Sequence, residues 1–295
     1  MTMTYTLDVP GAVLHYDVRP VEGGTGPALL MIGSPMVASS FAGLADQVTD
    51  RTVVTYDPRG SERSRRTDGA EQTTPDEHAD DLHRLIDALG GGPVDVFASS
   101  GGGVNALALV ARHGEQVRTL VAHEPPVSSE LPDSEVVLAV CRDIRATYLT
   151  SGVGPAMAKF IALISAQGPL PADQLDRPAP DPAAFGLPTE DDGNRDDPLV
   201  GQNIVTCNEY RQDFDALRAA STRIVLGVGA ESGETLPART ARVVAERLGT
   251  TPVVFPGDHG GFVAGGPYGG TGDPAAFAEI LRTVLAGDAV TGQRS

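Results

Sequence analysis

The chain has 295 residues, 41% of them hydrophobic, and a formal net charge of −17. That much apolar material excludes a disordered chain and suits one large α/β domain or two ordinary ones. So acidic a surface disfavours nucleic acid and anionic lipid and favours neutral or cationic small molecules. No apolar run reaches the roughly 18–20 residues of a membrane helix. The start, MTMTYTLDVPG, lacks the basic and apolar regions of a signal peptide, so the expected location is the cytoplasm. The two cysteines, Cys141 and Cys207, form no CxxC or Cys/His cluster, and nothing in their spacing indicates a metal or a disulfide.

In chain order, TYTLDV and AVLHYDV around Pro10-Gly11 predict a hairpin. ALLMI (28–32) is continuously apolar, as a strand buried on both faces must be. A helix is expected over 38–48 and a strand over 52–57. Next comes a helix whose apolar positions, Ala79, Leu82, Ile86 and Leu89, recur at helical spacing. VDVFAS (94–99) is a strand, 102–114 a helix and VRTLVAHE (117–124) a strand. This alternation means parallel βαβ units. It breaks from Pro125 to about Leu217, where helices over 134–149 and 155–166 precede a Pro- and Asp-rich loop over 169–198. The break is too long for a simple connection and suits a lid inserted over a site. Alternation then resumes with RIVLGVG (223–229), a helix over 237–248, TPVVFPG (251–257), a glycine-rich loop and a last helix capped by Asp273 before Pro274. The tail DAVTGQRS is expected to fray.

The stretch Ala98-Ser99-Ser100-Gly101-Gly102 lies between a strand and a helix. A nucleophile elbow needs that context: a sharp turn presenting a serine, with small residues two places away on either side. Ala98 stands where glycine is usual, and Gly102 fills the other small position. A phosphate cradle is a poor fit, since no G-x-G-x-x-G register and no Lys-Ser/Thr follow. The turn places the Gly101 N–H at a helix N-terminus, where developing negative charge is stabilised. A second donor is expected from the loop after ALLMI, where Gly33-Ser34-Pro35 leaves Ser34 as the residue with an N–H. An alcohol nucleophile also needs a base. His15, His78, His83 and His113 sit where structural or solvated roles suffice, with His78 and His83 assigned to the polar side of their helix. His123 stays open at a strand end. His259, in the loop FPGDHGGF after the last strand, belongs at the carboxyl edge of the sheet with Ser100 and is the preferred base. The charges of DPRGSERS (57–64) suit a structural ion-pair cluster.

The ordered set of hairpin, IGSP, DPRGSERS, ASSGG, an insertion and PGDHGGF resembles the α/β-hydrolase superfamily over most of the chain. That resemblance implies a mostly parallel eight-stranded sheet flanked by helices, with an inserted, largely helical cap. The core would span 1–125 and 218–295, and the cap 126–217. It also implies a triad acid. Most of the superfamily places an aspartate after the strand that here reads RIVLGVG, where this chain offers Glu231. A minority places the acid one strand earlier, where this chain has Glu124 in AHEPP. Both stay candidates, Glu124 being preferred. ASSGG and AHEPP together are similar to the zearalenone lactonase group, which opens a macrocyclic resorcylic lactone; the chain departs from that group in lacking tryptophan and in its Pro/Asp-rich loop.

The resemblance therefore implies a serine hydrolase of a neutral ester or lactone, with Ser100, Glu124 and His259 as triad, Ser34 and Gly101 as oxyanion donors, and neither metal nor cofactor. A homodimer is admitted, since nothing in the sequence fixes the oligomeric state. Thioesterase, perhydrolase and carbon–carbon hydrolase activities, or a ligand receptor, are the alternatives on the same fold.

Overall fold

The structure, a computed structural model, describes residues 1–24, 26–264 and 272–288. Parts of the glycine-rich loop (265–271) and of the expected frayed tail (289–295) lie outside these residues. β1 (Met3–Val9) and β2 (Ala12–Arg19) form the expected antiparallel hairpin, with Gly11 at φ +77° in its turn. β3 (Leu29–Ile32), β4 (Val53–Asp57), β6 (Val94–Ser99), β7 (Val117–His123), β8 (Arg223–Gly229) and β9 (Val253–Phe255) run parallel to one another. The order across the sheet is β1-β2-β4-β3-β6-β7-β8-β9. These are the eight strands expected, and a two-residue strand, β5 (Arg65–Arg66), adds a ninth beside β2.

The continuously apolar strands are explained by the two layers they separate. Leu30 and Ile32 of β3 face one cluster with Val96, Ala98, Leu120 and Ala122; Leu29 and Met31 face the other with Phe97 and Val121. Successive side chains point to opposite faces, so both phases of the strand must be apolar. α2 (Pro75–Ala88), α3 (Gly101–His113), α7 (Phe214–Ala219) and α8 (Leu236–Arg247) cover the first face, and α1 (Ala42–Asp46) and α9 (Pro274–Ala286) the second. Thr74 and Glu77 cap α2 reciprocally, and the Asp273 side chain caps α9 as its sequence implies.

Three elements differ from expectation. The helix expected over 38–48 is a 3₁₀ turn (Ala38–Phe41) leading into the short α1, because Ser39, Ser40 and Gly43 propagate a helix poorly. β9 stops at Phe255 because Pro256 has no N–H to continue the ladder. The long loop carries two 3₁₀ turns, Gln174–Asp176 and Pro182–Phe185, and ends in a π-helical turn, Pro198–Asn203.

Between β7 and β8, α4 (Ser134–Ser151), α5 (Val153–Ser165) and α6 (Ile204–Glu209) build a cluster of their own around Val137, Ile144, Tyr148, Ala156, Leu163 and Ile204. Leu236 of α8 joins that cluster. Among the described residues no helix is long and apolar enough to cross a membrane.

Phe97 is fully buried and lies edge-on to Phe41, Phe262 and Phe277, with centroids 6.2, 5.4 and 5.4 Å away. Phe97→Ala is expected to lower unfolding free energy by about 3–5 kcal/mol, measured by urea denaturation. A loss within about 1 kcal/mol would mean that this face is not close-packed.

Candidate active site

Ser100 sits between the end of β6 and the start of α3 at φ 55°, ψ −132°. A residue other than glycine held there costs about 1–3 kcal/mol. The strain is held by its neighbours: the Ser100 N–H donates to the His123 carbonyl at 3.0 Å, and the Ser100 carbonyl accepts from Gly103 N at 2.8 Å. The glycines that follow have a steric reason. A Cβ on Gly101 would lie 2.4 Å from the Ser34 carbonyl oxygen, and one on Gly102 would lie 2.7 Å from the Ile32 carbonyl oxygen. Glycine at both positions lets the first turn of α3 press against the loop after β3, which brings Ser34 and Gly101 beside Ser100.

The neighbouring strand supplies the acid side. Ser99 pairs with His123 across β6 and β7, so Glu124 comes next to Ser100 at the carboxyl edge. Glu124 also has a positive φ, 48°, and its N–H donates to the Gly227 carbonyl at 3.0 Å. Its side chain is fully buried. Oε1 accepts from Gly229 N at 2.9 Å and Oε2 contacts His259 Nδ1 at 2.7 Å. Burial pushes this carboxyl up, but the His259 hydrogen bond and the flanking imidazoles outweigh it and hold the pKa at about 2. Glu124 is therefore a carboxylate at neutral pH, its Oε2 on one ring nitrogen of His259 and the other ring nitrogen left for chemistry. Glu231, the other candidate, is exposed, and its N–H bonds the Gly257 carbonyl at 2.9 Å.

Ser34, Ser100, Gly101 and His259 line one pocket. Among the described residues no hydrogen bond joins Ser100 Oγ to the His259 ring, a contact that often tightens only when substrate binds. The walls are apolar: Phe160, Leu163 and Ile164 of α5, Leu199 and Ile204, and Leu236 of α8. The space is narrow, with about 50 Å³ open to the centre of a water molecule.

The remaining histidines divide clearly. His123 is fully buried against Phe97, Phe255, Phe262 and Phe277, and burial pushes its pKa down to about 4. His78 corrects the sequence expectation, since it is buried rather than on the polar side of α2. It lies one turn before Leu82 on the apolar stripe, and burial pushes its pKa down to about 3. His83 bonds Gln116 Oε1 through Nδ1 at 2.9 Å and stacks on His113. His123, Glu124 and His259 are the group, among the described residues, whose donor atoms could surround a metal, lying within 4.8 Å of one another. Both Glu124 oxygens are already engaged, by Gly229 and His259, an arrangement able to orient an imidazole as a base. DPRGSERS is an ion-pair cluster: Arg59 binds Asp81 at 2.6 Å, and Arg63 binds Asp57 at 2.5 Å and Asp17 at 2.8 Å. Sequence reasoning missed Asn203. Its Nδ2 donates to Ser34 Oγ at 3.0 Å in the pocket wall, and no local pattern marks it.

A family model described as alpha/beta hydrolase fold matches residues 21–184. The uncharacterized hydrolase YraK of Bacillus subtilis (strain 168) is 33% identical over 265 residues, covering 87% of this chain and 89% of that protein. A thermophilic esterase from Thermogutta terrifontis superposes with a TM-score of 0.64 at 17% identity, over 97% of this chain and 98% of that one. The enol-lactonase from Burkholderia xenovorans LB400 gives 0.58 at 18% identity, over 85% and 91%. At such identities the two solved structures show a shared fold and nothing finer.

The buried imidazoles set an acid limit. An unfolded histidine titrates at 6.5, whereas His78 and His123 stay neutral in the fold down to about 3 and about 4. Between these values the unfolded chain binds protons that the folded chain does not, so stability falls as the pH drops below about 6.5, by about 1.4 kcal/mol per pH unit for each histidine. Glu124 adds to the loss lower down: its contribution is present above 4.5 and disappears as the pH falls through about 2. Urea unfolding between about pH 7 and pH 4 should show this slope, and His78→Gln should make it shallower by about one proton. An unchanged slope in that variant would mean that His78 is protonated in the fold.

Proposed function

Since the chain belongs to the α/β-hydrolase family, we propose that it is a serine hydrolase that cleaves a carboxylic ester or lactone through an acyl-enzyme. The observation that carries the reading is the 2.7 Å contact between His259 Nδ1 and the buried Glu124 carboxylate, beside a serine in a strained strand-to-helix turn. With Nδ1 engaged, His259 Nε2 takes the Ser100 hydroxyl proton as Oγ forms its bond to the carbonyl carbon. The carbonyl π electrons move onto oxygen, where the N–H groups of Gly101 and Ser34 receive the charge. Collapse breaks the bond to the leaving alkoxide, which takes the proton back from Nε2. Water then repeats the sequence on the acyl-enzyme: it loses a proton to Nε2, adds to the ester carbon, and releases the acid and Ser100. Glu124 holds the tautomer and stabilises the imidazolium throughout.

The substrate follows from the walls. An acidic surface and an apolar, narrow pocket suit a neutral ester or lactone with a slender acyl group. The insertion over 126–217 acts as the cap, since α5, Leu199 and Ile204 form much of the wall. A zearalenone-type macrolactone needs these walls to part, so short-chain esters and small lactones are the favoured substrates.

Labelling the native protein with a fluorophosphonate, followed by peptide mapping, tests the nucleophile. A single adduct on Ser100, lost in a folded Ser100→Ala variant, is the expected result. No adduct on a folded sample would favour a ligand receptor instead. The acid is tested by two substitutions. Glu124→Gln should lower kcat by about 10⁴-fold, whereas Glu231→Gln should stay near wild type; the reverse ranking would move the acid to Glu231.

A further inference from the structure

Building on the serine-hydrolase reading above, we propose that the Ser34 hydroxyl is a third oxyanion donor and that Asn203, carried by the insertion, is the positioning residue that aims it. Ser34 and Asn203 are each only 4% exposed, and Asn203 Nδ2 lies 3.0 Å from Ser34 Oγ. An amide nitrogen can only donate, so Ser34 Oγ is the acceptor in this bond. A hydroxyl has one proton of its own, and that proton must point elsewhere. Among the described residues no hydrogen bond takes that proton, and Ser34 lines the pocket shared with Ser100 and Gly101. The three groups are close together: a Cβ on Gly101 would stand 3.3 Å from Asn203 Nδ2 and 2.4 Å from the Ser34 carbonyl oxygen. Asn203, which holds the Ser34 hydroxyl, thus stands against Gly101 at the start of α3.

Asn203 is fixed from two sides. It closes the π-helical turn Pro198–Asn203, a geometry often found at functional positions. The Asp197 carboxylate caps that turn, accepting from Leu199 N at 2.9 Å and Val200 N at 2.8 Å. α4 holds the turn from the insertion side: the Tyr148 hydroxyl accepts from Asp197 N at 2.8 Å, and Arg145 Nε donates to the Gly201 carbonyl at 3.1 Å. The core holds it from the other side, where Thr73 N donates to the Gln202 carbonyl at 3.2 Å. A side chain so braced can orient a hydroxyl before substrate arrives, and such preorganisation is what makes an oxyanion donor effective. The insertion therefore completes the oxyanion hole as well as walling the pocket.

The test measures p-nitrophenyl acetate hydrolysis and the second-order rate of fluorophosphonate labelling at Ser100, since both reactions build negative charge on the same oxygen site. Ser34→Ala keeps the backbone N–H and should lose about 10²-fold in kcat with KM little changed. Ser34→Thr keeps the hydroxyl and should recover most of that loss. Asn203→Ala should reduce kcat in the Ser34 background and cause no further loss in the Ser34→Ala background, because its effect passes through that hydroxyl. Asn203→Asp should also be slow, because a carboxylate can only accept and takes the Ser34 proton for itself. Thermal melts establish that each variant is folded. If Ser34→Ala does not fold, Asn203→Asp decides the question, and a wild-type rate in that variant overturns the proposal. Wild-type rates in a folded Ser34→Ala, or losses at 34 and 203 that multiply, overturn it as well. A wild-type protein that neither labels nor turns over fails the serine-hydrolase reading and this proposal together. Labelled wild-type protein with an indifferent Ser34→Ala fails the proposal alone.

Discussion

The Glu124 carboxylate ties the carboxyl edge of the sheet together. It grows from the end of β7, accepts from the backbone at the end of β8, and bonds the imidazole in the loop after β9. A carboxylate this deeply buried is costly unless its oxygens are satisfied, and here both are. The same residue fixes its own strand end through the hydrogen bond to Gly227. Three consecutive strand ends are thereby held to one geometry, and Ser100 on β6 is drawn in by its bond to the His123 carbonyl.

That geometry is strained in two adjacent places. Ser100 and Glu124 both have positive φ, at about 1–3 kcal/mol each, one residue beyond a directly paired Ser99 and His123. Such strain persists because the strands beneath cannot yield. Phe97, Phe255, Phe262 and Phe277 pack around His123 on one face, and Leu107, Leu120 and Ala122 fill the other. Burial among these rings outweighs the pull of the nearby Glu124 and Asp258 carboxylates, which is why the His123 ring stays neutral in the fold. Packing thus fixes both the reach of the Glu124 carboxylate and the turn that carries Ser100.

Most of the architecture was legible because it is written in local patterns. Continuous apolar runs marked strands buried on both faces, helical spacing marked α2, and an Asp cap before a proline marked α9. Small residues flanking Ser100 marked a turn that larger ones could not make. The carboxylate that pairs with His259 was not decidable in this way. Glu124 and Glu231 both follow strand ends, and only the packed fold distinguishes a buried carboxylate on His259 from an exposed one. His78 was misassigned for a related reason: its chemistry is polar, but its place one turn before Leu82 puts it on the buried stripe. Asn203 left no signal at all, since it is 169 residues from the serine it bonds and the irregular turn that carries it has no simple period.

The insertion supplies both walls of the pocket and the side chain that bonds Ser34. Its helices share a cluster with Leu236, and Arg239 of α8 grips Asp133 while donating to the Gly168 carbonyl at 3.0 Å. It therefore rests on the core as a braced body rather than as a loose flap. Sliding that body away would enlarge the pocket, but would also withdraw Asn203 from Ser34. A wider substrate is more readily accommodated by shortening Phe160 or Leu163 on α5, which leaves the π-helical turn in place. On the proposed reading, the acyl specificity of the site should vary through side chains of α5, while the position of the turn stays fixed by the Ser34 hydroxyl it orients.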